Sequence, residues 1–261
     1  MRVAVLGANG MLGARVVEEL ERANHLVFAL KRQQGDLSNK DHVLNLAWTD
    51  VDWFVNCAGI VKSREAEAVQ MVLVNSAAPH WLENEVMQRG EPPRILHVST
   101  DCVFSGRGHL YLPTDEPDPV DLYGATKLAG ELTGSQSITI RTSFIGWENA
   151  TQRGLLEWFV RQKKVQGYAN AFWSGLSARE VARSITRIVS HSPDLSCGRV
   201  YHITGSVISK LNLLRTLRDA LELDVEIEEV FEPHIDRSLS PNIGAPSWEE
   251  MAAELAQERP K

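Results

Sequence analysis

The first thirteen residues constrain the fold more than any other part of the chain. "RVAVLGANGMLG" runs a short apolar segment directly into Gly7, Gly10 and Gly13, and then into helical spacing. A buried strand that turns at once into a helix needs glycines at these positions. Gly7 allows the tight turn, Gly10 lets the backbone approach a pyrophosphate, and Gly13 lets the helix pack closely on the sheet. The free N–H groups at the helix start then face the phosphates. The helix itself, "MLGARVVEELERAN", puts Leu12, Val16, Val17 and Leu20 on one face.

The alternation continues. "HLVFAL", "VDWFVNCAG", "RILHVST" and "SITIRTS" read as strands, and "EAVQMVLVNSAAPHWLENEVMQRG" as a long helix with Met71, Val74 and Ala78 at helical intervals. Strands alternating with helices imply parallel βαβ units. The expected fold is therefore α/β, a Rossmann-type doubly wound parallel sheet with its ligand at the carboxyl ends of the strands. Residues 1–145, plus returning segments, would form the dinucleotide-binding domain. Roughly residues 146–261 would form a smaller mixed C-terminal substrate-binding lobe, without a clean sequential boundary. In it "GLLEWFVRQKK", "ARSITRIVSH" and "KLNLLRTLRDALEL" look helical, "RVYHITG" looks like a strand and "DVEIEEV" like an edge strand. Ser247 and Glu250 form a capping box for a closing helix. The long proline-rich loop "SGRGHLYLPTDEPDPVD" has the character of a lid or binding loop.

Bulk composition narrows the function classes. The 261 residues carry a net charge of −7 and no basic run, which argues against nucleic acid as a partner. No run approaches the roughly 18 apolar residues of a membrane span. Cys57, Cys102 and Cys197 are few and widely spaced, fitting neither a disulfide framework nor a zinc site, so a cytoplasmic location and no metal are expected. A homodimer is possible.

Three stretches carry chemistry. The second strand ends in "ALKRQQGDLSN", with Lys31 and Arg32 where an acid would favour NAD; this points to NADP(H), with NAD(H) possible. Asp36 follows and could approach the adenine instead. "NCAG" (Cys57, Ala58 and Gly59) ends a strand in residues small enough to admit a cofactor. "HVSTDCVFSG" places Ser99, Thr100 and Asp101 just past another strand, and "LYGATKLAGE" puts Tyr123 and Lys127 one helical turn apart on one face. A phenol titrating near 10 needs tuning to act as an acid at neutral pH. A lysine ammonium beside it supplies that tuning. A threonine hydroxyl can hold a carbonyl oxygen beside the phenol while hydride moves between nicotinamide and carbon.

These motifs together resemble the extended short-chain dehydrogenase/reductases, and within them the dTDP-4-dehydrorhamnose reductase branch and related sugar-nucleotide reductases. "VLGANGMLG", "GDLSN", "VNCAG", "VNSAAP", "STDCVFSG", "LYGATKLAGE" and "IRTSFIG" carry the likeness over roughly residues 1 to 147; "DRSLSPN" and "SWEEMAAELA" extend it. The resemblance implies that Gly10, Met11 and Leu12 touch the cofactor phosphates and that Asp36 and Leu37 lie by the adenine. Ala58 and Gly59 would line the cofactor, and Tyr123 and Lys127 would hold the nicotinamide ribose. Thr100 and Asp101 would meet the sugar. Phe144 falls at an aromatic substrate contact that is usually tryptophan, and Phe172 and Trp173 could form a sugar platform or belong to the core. Related 4,6-dehydratases carry a glutamate after the Thr-Asp pair as a base for elimination; here that residue is Cys102. The expected activity is reduction of a nucleotide-activated 4-keto-deoxysugar for surface polysaccharide supply. A same-fold epimerase and a non-catalytic NAD(P)-binding regulatory subunit are the alternatives.

Overall fold

The computed structural model describes residues 1–61, 68–148, 154–191, 195–240 and 245–260. In the first half, strands β1 (Arg2–Leu6), β2 (Leu26–Leu30), β3 (Trp53–Asn56), β4 (Arg94–Thr100) and β5 (Ser137–Thr142) alternate with helices α1 (Met11–Arg22), α2 (Lys40–Leu46), α3 (Ala68–Val72), α4 (Ala78–Val86) and α5 (Leu122–Ala129). After the short β6 (Phe144–Ile145) come α6 (Leu155–Phe159), β7 (Lys164–Tyr168), β8 (Ala171–Trp173), β9 (Leu176–Ser177) and α7 (Ala178–His191). The chain ends through β10 (Arg199–His202), β11 (Ile208–Ser209), α8 (Lys210–Ala220), β12 (Glu226–Val230), β13 (Ile235–Asp236) and α9 (Trp248–Gln257).

Six strands form one all-parallel sheet in the order β10-β5-β4-β3-β1-β2. The chain reverses direction across the sheet between β1 and β3, so a crevice opens there at the carboxyl ends of the strands. Strand period explains the two-sided core. Val3 and Val5 of β1 face Leu12, Val16 and Leu20 of α1 and Val181, Ile185 and Val189 of α7. Ala4 and Leu6 face the opposite way, toward Val43 and Leu46 of α2 and Ala78, Leu82 and Val86 of α4. The inner strands β1, β3, β4 and β5 are covered on both faces, as parallel sheets require, while edge strand β2 leaves Leu26 and Phe28 exposed.

The outermost strand β10 returns from far along the chain. The remaining later elements make small sheets, β11-β8-β13 and β12-β7, beside α8 and α9. Among the described residues β12, the expected edge strand, pairs only with β7. Arg179 opens α7 and reaches Glu18 and Glu19 of α1 at 3.1 and 2.7 Å, clamping the two helices together.

Several expectations shift in detail. The helix in "GLLEWFVRQKK" covers only Leu155–Phe159. The long helix is interrupted by one π turn, Leu73–Ala77. Its Glu67, like Pro241 and Asn242 of "DRSLSPN", lies outside the described residues. The proline-rich loop, read as a lid or binding loop, is tied at Tyr111 to the segment around Ser238. Tyr111 stacks on Phe104 at 4.1 Å, and the backbone N–H groups of Tyr111 and Ser240 exchange bonds with the Ser238 and Tyr111 carbonyls.

The capping box forms as expected. Glu250 N–H donates to Ser247 Oγ at 3.2 Å, and Ser247 N–H donates to Glu250 Oε2 at 2.8 Å. Helix α9 carries Trp248, Met251 and Leu255 into the core. Ser247→Ala is expected to cost about 1 kcal/mol, read as a small drop in thermal midpoint with no change in the fold by circular dichroism.

Candidate active site

Two clefts meet at the carboxyl ends of β1, β3 and β4. The first, about 250 Å³, is lined by Leu6, Gly7, Gly10, Leu30, Arg32, Gly35, Asp36, Leu37 and the Cys57–Ile60 turn, among others. The second, about 340 Å³, is lined by Met11, Leu12, Ser99, Thr100, Tyr123, Lys127, Thr142 and Phe144, among others. Gly10, Cys57, Ala58 and Gly59 border both, so the two are one continuous groove.

The glycine turn is built as its sequence requires. Gly7 sits at φ +74°, a conformation that disfavours side chains, and a Cβ there would come within 2.8 Å of the Ala58 backbone. A Cβ on Gly13 would run into the Gly7 carbonyl. Gly13 lines neither cleft; its part is to let α1 close on the turn. Arg32 reaches the groove, whereas Lys31 is exposed and lines neither cleft. Asp36 accepts from the backbone N–H and hydroxyl of Ser38 at 3.0 and 2.8 Å, which holds its carboxyl below the usual range. Arg32 lies 3.7 Å from that carboxylate.

Helix α5 delivers the phenol and the amine. Asp121 caps it by accepting from Gly124 N–H at 2.8 Å. A Cβ on Gly124 would strike the Cys102 carbonyl, so only glycine lets the helix lie this close to the turn after β4. Burial, with neighbouring Cys102 and Asp101 adding to it, pushes the Tyr123 phenol above its ordinary range; the Thr100 hydroxyl works the other way. Lys127 is buried, and desolvation lowers its ammonium to about 8. Its Nζ donates to the Val98 carbonyl at 2.7 Å and lies 3.4 Å from His97 Nε2. Cys57 and Cys102 are both pushed up to about 12, chiefly by burial, and remain thiols.

Not every expected residue reaches the groove. Trp173 lines neither cleft. It packs against Trp248 at 5.3 Å with Lys210 Nζ 4.1 Å over its ring. Alternation along β8 turns Trp173 into the core and leaves Phe172 on a separate hollow beside Ser209 and Arg215. Asp101 is buried and lines neither cleft. It accepts from Thr100 Oγ1 at 3.1 Å, and burial raises its carboxyl above the usual range against the pull of Lys210 and Arg237. Ser99 borders the second cleft, but its hydroxyl donates to Glu131 at 2.7 Å.

Asn75, His97, Glu131 and Arg141 are among the residues at the site that sequence reasoning missed. Asn75, in the π turn, exchanges bonds with both backbone groups of Ile60 at 2.8 and 2.9 Å and donates to Thr126 Oγ1 at 3.2 Å. It thereby fixes the turn after β3. π turns gather at functional sites, but no local pattern announces one. His97, Glu131 and Arg141 hold Lys127 and Ser99 from behind. Among the described residues no cluster of three or more potential metal ligands occurs, and no helix is long and apolar enough to cross a membrane.

A doubly wound sheet with a glycine turn at β1 and a Tyr-x-x-x-Lys helix beside the Thr100 strand end defines an extended short-chain dehydrogenase/reductase. Residues 1–241 match the family model described as RmlD substrate binding domain, and the chain belongs to that family. Among curated relatives, the spore coat polysaccharide biosynthesis protein SpsK of Bacillus subtilis is 28% identical over 79% of this chain and 74% of its own length. A dTDP-4-dehydrorhamnose reductase of Mycolicibacterium smegmatis is 34% identical over 50% of this chain, which there spans only 40% of the relative. The crystal structure of Bacillus anthracis dTDP-4-dehydrorhamnose reductase in complex with NADP superposes with a TM-score of 0.86 over 99% of both chains at 20% identity, a likeness of fold.

Proposed function

We propose that the chain is an NAD(P)H-dependent reductase of a nucleotide-activated 4-keto-6-deoxysugar. The observation that carries this is the continuity of the groove. The Gly7–Gly13 turn opens one end, and Thr100, Tyr123 and Lys127 close the other. The named functions of the relatives support it.

The residues present fit a dinucleotide. Gly7 brings the backbone within van der Waals reach of Ala58 and leaves no side chain in the way, and Thr142 Oγ1, in the wall of the second cleft, is buried without a partner. Gly10, Met11 and Leu12 would take the phosphates, Arg32, Asp36 and Leu37 the adenosine end, and Cys57, Ala58 and Gly59 the middle. A nicotinamide cofactor held here supplies hydride. Lys127 and Tyr123 would hold its ribose. Thr100 positions the substrate carbonyl oxygen, and Tyr123 donates its proton to that oxygen as it becomes a hydroxyl. Phe144 borders the same cleft as a substrate contact. Asp101 lies behind the Thr100 hydroxyl, which would turn its proton from that carboxyl to the substrate oxygen when the groove is filled. Cys102, a neutral thiol, cannot serve as the base that elimination needs, which favours reduction over dehydration.

Oxidation of NADPH followed at 340 nm across dTDP-, UDP- and GDP-linked 4-keto-6-deoxysugars tests the proposal. Turnover that requires the 4-keto group is expected; no NADPH oxidation with any of them overturns it. Arg32 is the one cation of the Lys31–Arg32 pair that reaches the groove. Loss of a charge-assisted contact to a 2′-phosphate is worth roughly 1.5–3 kcal/mol. Arg32→Gln is therefore expected to raise KM for NADPH by about 10- to 100-fold and leave that for NADH nearly unchanged. Homodimerisation would use the exposed Ala125 and Ala129 of α5 beside the exposed Val69 and Val72 of α3; sedimentation equilibrium reads the mass.

A further inference from the structure

Two buried side chains outside the cleft lining determine what Lys127 Nζ meets. Asn56 closes β3 and His97 lies opposite it in β4; they are 2% and 0% exposed. The Ala58 backbone N–H donates to Asn56 Oδ1 at 3.1 Å. A backbone N–H can only donate, so the amide oxygen must face Ala58 and the amide NH₂ must face His97 Nδ1, 3.1 Å away. His97 therefore accepts at Nδ1. A proton on that nitrogen would point at the amide hydrogens, so the imidazole is neutral and its single proton sits on Nε2. Burial and the Lys127 charge, which push His97 well below its ordinary range, agree with this. Nε2 lies 3.4 Å from Lys127 Nζ. An Nε2–H bonds to the lone pair of a neutral amine; toward an ammonium it sets N–H against N–H.

We propose that Asn56 and His97 are a positioning pair for Lys127, whose fixed Nε2–H favours the neutral amine over the ammonium and so sets the alkaline limit of the reaction at Tyr123. This rests on the reductase proposal, in which the ammonium makes the phenol a usable acid. The Val98 carbonyl accepts from Nζ at 2.7 Å and can do so from amine or ammonium alike, and the titratable groups around Nζ leave His97 this role. Cys57, beyond β3, is a neutral thiol. Glu131, beyond α5, favours the ammonium but is bonded to Arg141 and Ser99. Asn75, in the π turn, is committed to Ile60 and Thr126. His80 of α4 bonds the Ala129 carbonyl and acts on His97 rather than on Lys127. Tyr123, on the same helix, is held in its protonated form.

Two variants change the proton map without emptying the site. In His97→Gln the side-chain oxygen can accept from the ammonium. In Asn56→Asp one oxygen keeps the Ala58 bond while the other accepts from Nδ1–H, which turns Nε2 into an acceptor. The alkaline limb of the pH–kcat profile is expected to rise by about one pH unit or more in both, with thermal midpoints close to wild type. An unmoved limb in a folded His97→Gln or Asn56→Asp enzyme overturns the proposal. The ¹⁵N spectrum of the histidine-labelled protein with NADP⁺ bound reads the tautomer without any turnover. A His97 signal with Nδ1 bare and Nε2 protonated is expected, and an Nδ1–H tautomer overturns the proposal. If no 4-keto sugar is reduced, the reductase proposal fails, and the spectrum still decides the tautomer.

Discussion

Tyr123→Phe is expected to lower kcat by about 10²–10⁴-fold, the usual contribution of a positioned general acid, while the dissociation constant for NADPH rises no more than about tenfold, the worth of one neutral hydrogen bond to the ribose. The substitution removes one hydroxyl and keeps the ring in the wall of the second cleft. Thr100 still orients the carbonyl oxygen, but no group at that position can protonate it. Cys102 is held as a thiol by burial, and Asp101 is turned away from the groove. Stopped-flow measurement of NADPH oxidation in a single turnover, beside fluorescence titration of NADPH, separates the chemical step from binding. Full retention of turnover in this variant would remove Tyr123 from the mechanism.

The second large effect is on stability. Glu131 and Arg141 make a two-pronged ion pair, 2.8 Å at each prong, with side chains only 7% and 5% exposed. The guanidinium also lies 5.2 Å from the Phe104 ring centroid. Glu131→Gln leaves that cation buried without its counter-charge. Breaking one partner of a buried pair costs about 3–5 kcal/mol, which for a chain of this size lowers the thermal midpoint by roughly 10 °C. The double variant Glu131→Gln, Arg141→Met is expected to recover part of the loss, because the uncompensated charge is gone. Differential scanning calorimetry of the two variants beside wild type checks both statements. Ser99 donates to the same carboxylate, so the loss is felt at the floor of the active site as well.

Much of the fold was legible before any coordinates. Strand and helix periods are local, and so are the glycine turn and the Ser247 capping box, which formed as their sequence implied. The Tyr123–Lys127 spacing is local too, and both residues line the groove. The misses share a cause. Lys31 and Arg32 are adjacent cations at a strand end, and nothing local says which one turns toward the groove. Trp173 sits in a short stretch where either face could have been the buried one; its packing on Trp248, from 75 residues further on, settled it.

Sequence alone thus determined the class of chemistry. A glycine turn, a phenol and an amine at fixed local spacing admit few uses, because backbone approach and helical pitch are properties of neighbouring residues. It also placed Cys102 where an eliminating enzyme needs a carboxylate. Tertiary structure decided how that chemistry is held. Asn56, Asn75, His97, Glu131 and Arg141 are polar residues whose value lies in partners mostly tens of residues away. Burial makes such groups costly unless each donor meets an acceptor. Only the folded chain shows that nearly every one does, and that His97 Nε2 and Lys127 Nζ face each other at 3.4 Å.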